Sequence, residues 1–286
     1  MPQLGTWWGL AGAVGYGLGD FCGGLSARRL PPPVATMLVG FAGLVALAAI
    51  AVGIGAVVPA ADKLLLAAGA GLCGGLGLAA LYQAMSTGAM GLVAGLSSAG
   101  SVSLALIFGL LIGRSVSPLQ LVGMAFAIAA AVLASGIART PNMAAALRNA
   151  GLAALGFAGF LIFIDQAATP DPWWILVVSR AAATGAVAVV VLLTVMRSPA
   201  RSWGAAVQPV LPLILVGGVA DSLGNLFFIL SRELLQVGLA AALSGLYPLV
   251  TMVAARVFVG ESLPRGGSAS LGLAVVGAIL ISLGAV

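Results

Sequence analysis

The side chains that could do chemistry in this sequence are acids and amides set inside long apolar stretches. Asp20 stands in the string YGLGDF, and Asp221 and Asn225 lie four positions apart, which places them on one face of a helix. A carboxylate inside a membrane is costly. These groups therefore predict either a site for a cation, a proton or a substrate ammonium, or a hydrogen bond to a neighbouring helix, and both interpretations are open.

Aromatic, hydroxyl and proline positions extend this candidate site. An aromatic ring suits a hydrophobic or aromatic ligand, a serine can line water or bond a neighbouring helix, and a proline inside a span frees one carbonyl. The further candidate cavity residues are Tyr16, Tyr82, Gln83, Ser97, Ser101, Phe157, Ser244, Tyr247 and Pro248. Arg180 is expected to extend toward lipid headgroups, with a carboxylate partner as the alternative.

An enzyme is the main rival class, because residues 17–20 spell GLGD, the GxGD string of intramembrane aspartyl proteases. Two carboxylates sharing a proton would be needed, so Asp165 or Asp221 would have to partner Asp20. The Tyr-Asp and Pro-Ala-Leu motifs of such proteases are absent, and the string arises easily in a chain with 41 glycines. The lack of histidine excludes Ser-His chemistry and histidine-ligated metals. We predict no enzyme, no cofactor and no metal site.

The composition places these residues in a membrane. Of 286 residues, 62% are hydrophobic and 7% are charged, and the mean hydropathy is +1.20, whereas about a quarter of a soluble domain is charged. Continuous apolar runs of about 20 residues predict transmembrane helices rather than a barrel. Charges and prolines separate ten candidate spans, at residues 7–27, 34–57, 64–86, 90–113, 118–138, 149–168, 173–196, 209–231, 235–259 and 268–286.

The chain carries an internal repeat. Residues 238–261 follow the plan of residues 91–114, so that Ser97 aligns with Ser244 and Gly113 with Gly260. The longest break, around residues 139–148, falls midway, which predicts two five-helix repeats at residues 1–140 and 141–286. An odd number of spans in each repeat inverts the second relative to the first. The predicted fold is an all-α membrane protein with ten transmembrane helices in two inverted repeats.

One stretch has a family likeness. Residues 225–263 run from a span through a short polar turn into a small-residue helix with a central Pro248, closing on Gly260 and Glu261. This pattern resembles the end of an EamA repeat in the drug/metabolite transporter superfamily. The first copy departs from it, since Ser101 stands in place of the proline and Arg114 in place of the glutamate. The likeness extends over both halves of the chain.

The resemblance implies a ten-helix basket around a central cavity, lined by the third, fourth, eighth and ninth helices and by parts of the first and sixth. It also implies export of amino acids, including aromatic ones, or of other metabolites or drugs, and cytoplasmic termini. The positive-inside rule argues for the opposite orientation. With cytoplasmic termini, only Lys63, Arg114 and Arg232 would lie in the inner loops. We follow the family and expect both termini in the cytoplasm.

The predicted function is a carrier in the inner membrane that exports small metabolites, with hydrophobic or aromatic amino acids first, by alternating access. The alternatives are a proton-coupled transporter of other metabolites or drugs, a passive channel, a lipid-flipping or structural protein, and the GxGD protease. If protons drive transport, Asp20 and Asp221 are the expected proton carriers. The expected partners are a small-molecule substrate and the lipid bilayer, without nucleic acid, and a monomer is the expected state.

Overall fold

The computed structural model describes residues 2–85, 90–113, 115–135, 143–197, 204–260 and 267–284, and no strand occurs within these ranges. The elements in chain order are α1 (Pro2–Ala27), α2 (Pro32–Gly53), α3 (Ala61–Met85), α4 (Met90–Leu111), α5 (Pro118–Ser135), α6 (Met143–Ala167), α7 (Trp173–Arg197), the single turn α8 (Gly204–Val207), a 3₁₀ turn (Gln208–Val210), α9 (Leu211–Leu234), α10 (Val237–Ser244), α11 (Tyr247–Ala254), a π-helical turn (Ala255–Val259) and α12 (Gly267–Leu283). The all-α prediction is confirmed for the described residues.

Seven apolar helical segments of the described chain are long enough to cross a membrane. They are Pro32–Gly53, Ala61–Met85, Val93–Leu111, Ala144–Ala167, Trp173–Leu193, Gln208–Leu234 and Val237–Val259, and two shorter apolar helices are Pro118–Leu133 and Gly272–Ile281. Helix α1 is 26 residues long, but its glycines, tryptophans and Asp20 make it less apolar. Large side chains such as Leu65 and Phe258 are exposed on the outside. These features are consistent with a multi-pass membrane protein, and ten crossings stay a prediction.

The predicted ninth span is broken in the structure. Residues 235–259 were expected to form one helix with Pro248 near its middle, but α10 ends at Ser244 and α11 begins at Tyr247. Pro248 lies in the first turn of α11, where its missing N–H leaves no helical bond unmade. At the matching place in the first half, Ser101 keeps its N–H, and α4 continues unbroken.

Close helix crossings are made by glycine. A Cβ added to Gly15 of α1 would lie 2.6 Å from the backbone nitrogen of Gly224 in α9, and one added to Gly156 of α6 would lie 2.6 Å from the Cα of Gly77 in α3. Any larger residue would push these backbones apart. The two crossings hold α1 on α9 and α6 on α3.

Candidate functional site

A cavity lies at the centre of the helices. It contains about 840 Å³ of empty space, a volume that includes solvent at its open side. Its wall is formed by α1, α3, α4, α6, α7, α9 and α10 together with Gly245 and Tyr247 at the break between α10 and α11. Helices from both predicted repeats therefore meet at one central space.

Eight of the twelve candidate residues from the sequence share this wall. They come from positions as far apart in the chain as residues 16 and 247, and helix packing alone brings them together. The eight are Tyr16, Asp20, Ser101, Phe157, Asp221, Asn225, Ser244 and Tyr247. Binding of a substrate by these residues stays a prediction.

The other four candidates do not line the cavity. Tyr82 is fully buried between helices, with its hydroxyl 3.4 Å from the carbonyl of Gly19. Gln83 is exposed, because the next residue along a helix points about 100° away from its neighbour. Ser97 is covered by Tyr247, whose hydroxyl lies 3.0 Å from the Ser97 Oγ. Pro248 is buried in the first turn of α11.

The two predicted acids have different surroundings, and Asp221 has a cation. Arg180 of α7 donates a hydrogen bond from Nη2 to Oδ2 of Asp221 in α9, and both side chains are almost entirely buried. The expectation that Arg180 extends toward headgroups is therefore wrong. It lies seven residues inside α7, about 10 Å from the end of the helix, and its guanidinium turns into the cavity. The depth of Arg180 within its span could be read from the sequence, and it favours the alternative of a carboxylate partner.

Asp20 is the acid without a cation. It is 4% exposed and lines the same cavity, and it makes no hydrogen bond or ion pair within the described part of the chain. Gly19 brings the two acids near each other, since its added Cβ would lie 2.8 Å from the Cβ of Asp221. Asp221 therefore has a cationic partner, and Asp20 has none among the described residues.

The aromatic part of the wall is fixed by hydrogen bonds. The hydroxyl of Tyr16 donates to Oδ1 of Asn225 at 2.9 Å, and the ring of Tyr16 stands edge-on to that of Tyr247 with centroids 6.5 Å apart. The Tyr247 hydroxyl donates to the carbonyl of Ala94 at 3.1 Å. Phe157 and Phe160 of α6 complete an aromatic lining. Such a wall suits an apolar or aromatic group whose polar end points to the acids.

Serines satisfy the backbone at the break between α10 and α11. The carbonyl of Gly245, which the interruption leaves free, accepts a hydrogen bond from Ser98 Oγ of α4. Ser244 Oγ donates to the carbonyl of Gly9 in α1 at 3.3 Å. Because an unpaired carbonyl at membrane depth costs several kcal/mol, the bond from Ser98 stabilises the broken helix beside the cavity. Ser98 thus connects α4 to the break, and Ser244 connects α10 to α1.

One end of the molecule is tied by bonds between the two halves. We define the tied end by residues 54–60 and 168–174. The backbone N–H of Val57 donates to Oδ2 of Asp171 at 2.8 Å, and the Trp174 Nε1 donates to the carbonyl of Ala56 at 3.0 Å. Nearby, Asp165 forms an ion pair with Arg232 at 3.0 Å. Within the described ranges, no three potential metal ligands come together.

No protein-family model matches the sequence, and a search of curated proteins found no relative. Among solved structures, one crystal structure superimposes over 96% of this chain and 98% of its own, with a TM-score of 0.70 and 17% sequence identity. Likeness at that identity concerns the fold alone. Helix length, hydropathy and fold together are those of an all-α, multi-pass membrane protein with a central cavity.

Proposed function

We propose that this protein is a carrier of the EamA type that exports small metabolites with hydrophobic or aromatic groups, amino acids among them, across the inner membrane. The main support is the central cavity, whose wall combines Asp20, Arg180 and Asp221 with aromatic side chains. Charged groups at membrane depth are retained mostly where they pair with each other or contact a passing solute. Asp20 makes no hydrogen bond or ion pair with another residue that the structure describes, and the ammonium of a solute would supply a partner.

Two inverted repeats are part of the proposal, and the helix contacts support them. We match α1 with α6, α2 with α7, α3 with α9, α4 with the α10 and α11 pair, and α5 with α12. Under this exchange, the α1 and α9 contact becomes the α6 and α3 contact, and the packing of α4 on α6 becomes that of α10 and α11 on α1. The α2 and α7 contact and the α5 and α12 contact map onto themselves. A two-fold axis relating residues 1–140 to 141–286 produces this pattern.

Alternating access requires the tied end to open in another state of the carrier. The bonds from Val57 to Asp171 and from Trp174 to Ala56 each join the first repeat to the second. They lie at the end of the helices rather than in the glycine crossings. A rocking motion can break them while α1 stays packed on α9 and α3 on α6.

Catalysis is not part of the proposal. The GxGD interpretation needs Asp20 to share a proton with a second free carboxylate. Asp221 is held by Arg180 and Asp165 by Arg232, so neither is available as that partner. A passive channel is disfavoured because the cavity contains a compact cluster of charges rather than a ring of charge or a filter loop.

Counterflow in liposomes tests the proposed transport. Purified protein is reconstituted, loaded with one unlabelled solute, and assayed for uptake of the same labelled solute across amino acids, amines and common metabolites. Saturable uptake that is stimulated by solute on the opposite side indicates a carrier, whereas flux that rises linearly with concentration indicates a pore. The same vesicles with and without a pH gradient separate proton coupling from facilitated diffusion.

Membrane topology tests the inverted arrangement and the cytoplasmic termini. Single cysteines at the two ends of the chain are labelled in intact cells with a membrane-impermeant reagent. We expect neither to react until the inner membrane is permeabilised. Reaction of one end alone would mean an odd number of crossings and would exclude the two five-helix repeats.

A further inference from the structure

The charges around the cavity do not balance. Among the described residues, three charged side chains line it: Asp20, Asp221 and Arg180. Arg180 is bonded to Asp221, which leaves the Asp20 carboxylate, in its ionised form, without a counter-charge from the described residues. Asp20 is 4% exposed, and its surface opens into the cavity.

The missing counter-charge at Asp20 favours some classes of ligand over others. A solute with one ammonium group and no carboxylate pairs with Asp20 and leaves the bond from Arg180 to Asp221 intact. An amino acid brings an additional carboxylate, and Arg180, the only cation that the described residues contribute to the wall, is already bonded to Asp221. If the carboxylate of the amino acid pairs with Arg180, Asp221 loses its cation. If Arg180 stays on Asp221, the carboxylate of the amino acid has no cation. One buried carboxylate is therefore unpaired in either arrangement. A solute with a carboxylate and no ammonium leaves two buried carboxylates without a cation.

The wall also selects the rest of the ligand. Tyr16, Phe157, Phe160 and Tyr247 border the same space as the acids. The face of an aromatic ring attracts an ammonium group and packs against an apolar body. A compact amine with an aromatic or apolar body meets both conditions, whereas a strongly hydrated inorganic cation would leave the aromatic surface unused.

The geometry points to a primary amine with an aromatic or apolar body as the ligand of this cavity, held by its ammonium on the Asp20 carboxylate, in preference to the corresponding amino acid. This inference rests on the proposed function, because it treats the cavity as the substrate site. The sequence predicted amino acids as the first substrates, without knowledge that Asp221 is the partner of Arg180. The ion pair narrows that prediction to amines.

Binding to the full-length protein in lipid nanodiscs tests the inference with three probes that share one ring. Phenethylamine has an ammonium alone, phenylalanine has an ammonium and a carboxylate, and 3-phenylpropionate has a carboxylate alone. Equilibrium dialysis gives the dissociation constants. We expect phenethylamine to bind at least about 30-fold more tightly than phenylalanine, since one unpaired buried charge costs that much or more. No measurable binding of 3-phenylpropionate is expected.

Two variants assign the binding to Asp20. Asp20→Asn keeps the shape of the side chain and removes its charge, and we expect it to weaken phenethylamine binding about 30-fold or more. Asp62→Asn removes an exposed acid at the start of α3 and should leave the dissociation constant unchanged. If Asp20→Asn fails to fold, as judged by gel filtration, the three probes on the unaltered protein still decide the question.

The outcomes separate this inference from the proposed transport. Equal or tighter binding of phenylalanine, no binding of phenethylamine, or unchanged binding by a folded Asp20→Asn variant would each overturn the inference. Counterflow of amino acids without amine binding would overturn it and leave the carrier standing. Amine binding that depends on Asp20, without flux of any tested solute, would support the site and contradict the carrier.

Discussion

Replacing Arg180 by methionine leaves the Asp221 carboxylate in the cavity wall beside Asp20, with no cation for either acid. Removing one partner of a buried ion pair costs about 3–5 kcal/mol. The two side chains are 6% and 10% exposed, and the cavity beside them can admit some water. We therefore expect Arg180→Met to lower the free energy of unfolding by about 3 kcal/mol, at the lower end of that range. Asp221→Leu, which leaves the guanidinium unpaired, should cost a similar amount.

The double variant separates the ion pair from ordinary packing. With both Arg180→Met and Asp221→Leu present, no charge is left unbalanced by the change, and apolar side chains of similar size fill the space. Replacing a buried pair in this way is often neutral or stabilising, so we expect a free energy of unfolding within about 1 kcal/mol of the unaltered protein. The coupling energy between the two substitutions is then about 6 kcal/mol, larger than most contacts give.

Reversible unfolding in mixed micelles measures all four proteins. The transition is followed by tryptophan fluorescence as the fraction of denaturing detergent rises, with Asp62→Asn as a control that should not change it. If the losses of the single variants simply add in the double variant, the two side chains do not interact, and the ion pair is refuted. A loss under about 1 kcal/mol in both single variants would show that water or another group balances the charges.

Two further predictions concern the glycine crossings and the tied end. A Cβ on Gly71 would lie 1.9 Å from the carbonyl oxygen of Ser179, whereas one on Gly185 meets nothing within 4 Å. In the same unfolding assay, Gly71→Ala should lower the free energy of unfolding by about 1–3 kcal/mol, and Gly185→Ala should be neutral or stabilising by up to about 1 kcal/mol. Equal effects of the two substitutions would contradict the packing. Asp171→Ala removes the acceptor for the Val57 N–H. In a background without Cys22 and Cys73, a cysteine placed at Ser179 is labelled from the side of the tied end. We expect Asp171→Ala to raise its labelling rate about fivefold or more. Asp62→Ala is the matched control, and an unchanged rate would mean that these bonds do not hold the tied end closed.

The helical architecture could be predicted from the sequence because each part of it depends on local composition. An apolar run of about 20 residues has to satisfy its own backbone in lipid, and a helix does so whatever its neighbours are. The observed bounds of α2, Pro32–Gly53, therefore lie close to the predicted span at residues 34–57. For the same reason, Asp20 and Asp221 could be chosen as candidate site residues, since an acid in such a run needs a partner or a cavity.

The partners of these residues could not be predicted. Asp20 and Asp221 are both acids in glycine-rich helices, and nothing near them in the sequence shows that only Asp221 meets an arginine. That difference depends on how α7 and α9 rotate about their axes, and α7 has many equivalent small residues along its surface. The break at residues 245–246 was also missed, since a proline can kink a helix or start a new one.

The sequence by itself determined that this protein is helical, belongs in a membrane, and has acids and aromatic residues at the depth of its helices. Those properties follow from side-chain hydropathy and from the backbone of each segment taken alone. Only the tertiary structure decided which acid is balanced, which serines support the broken helix, and which end of the molecule is tied. Glycine crossings such as that of Gly15 on α9 are physically the same in either half of the chain, so the choice of partner is made by the combined packing of all the helices.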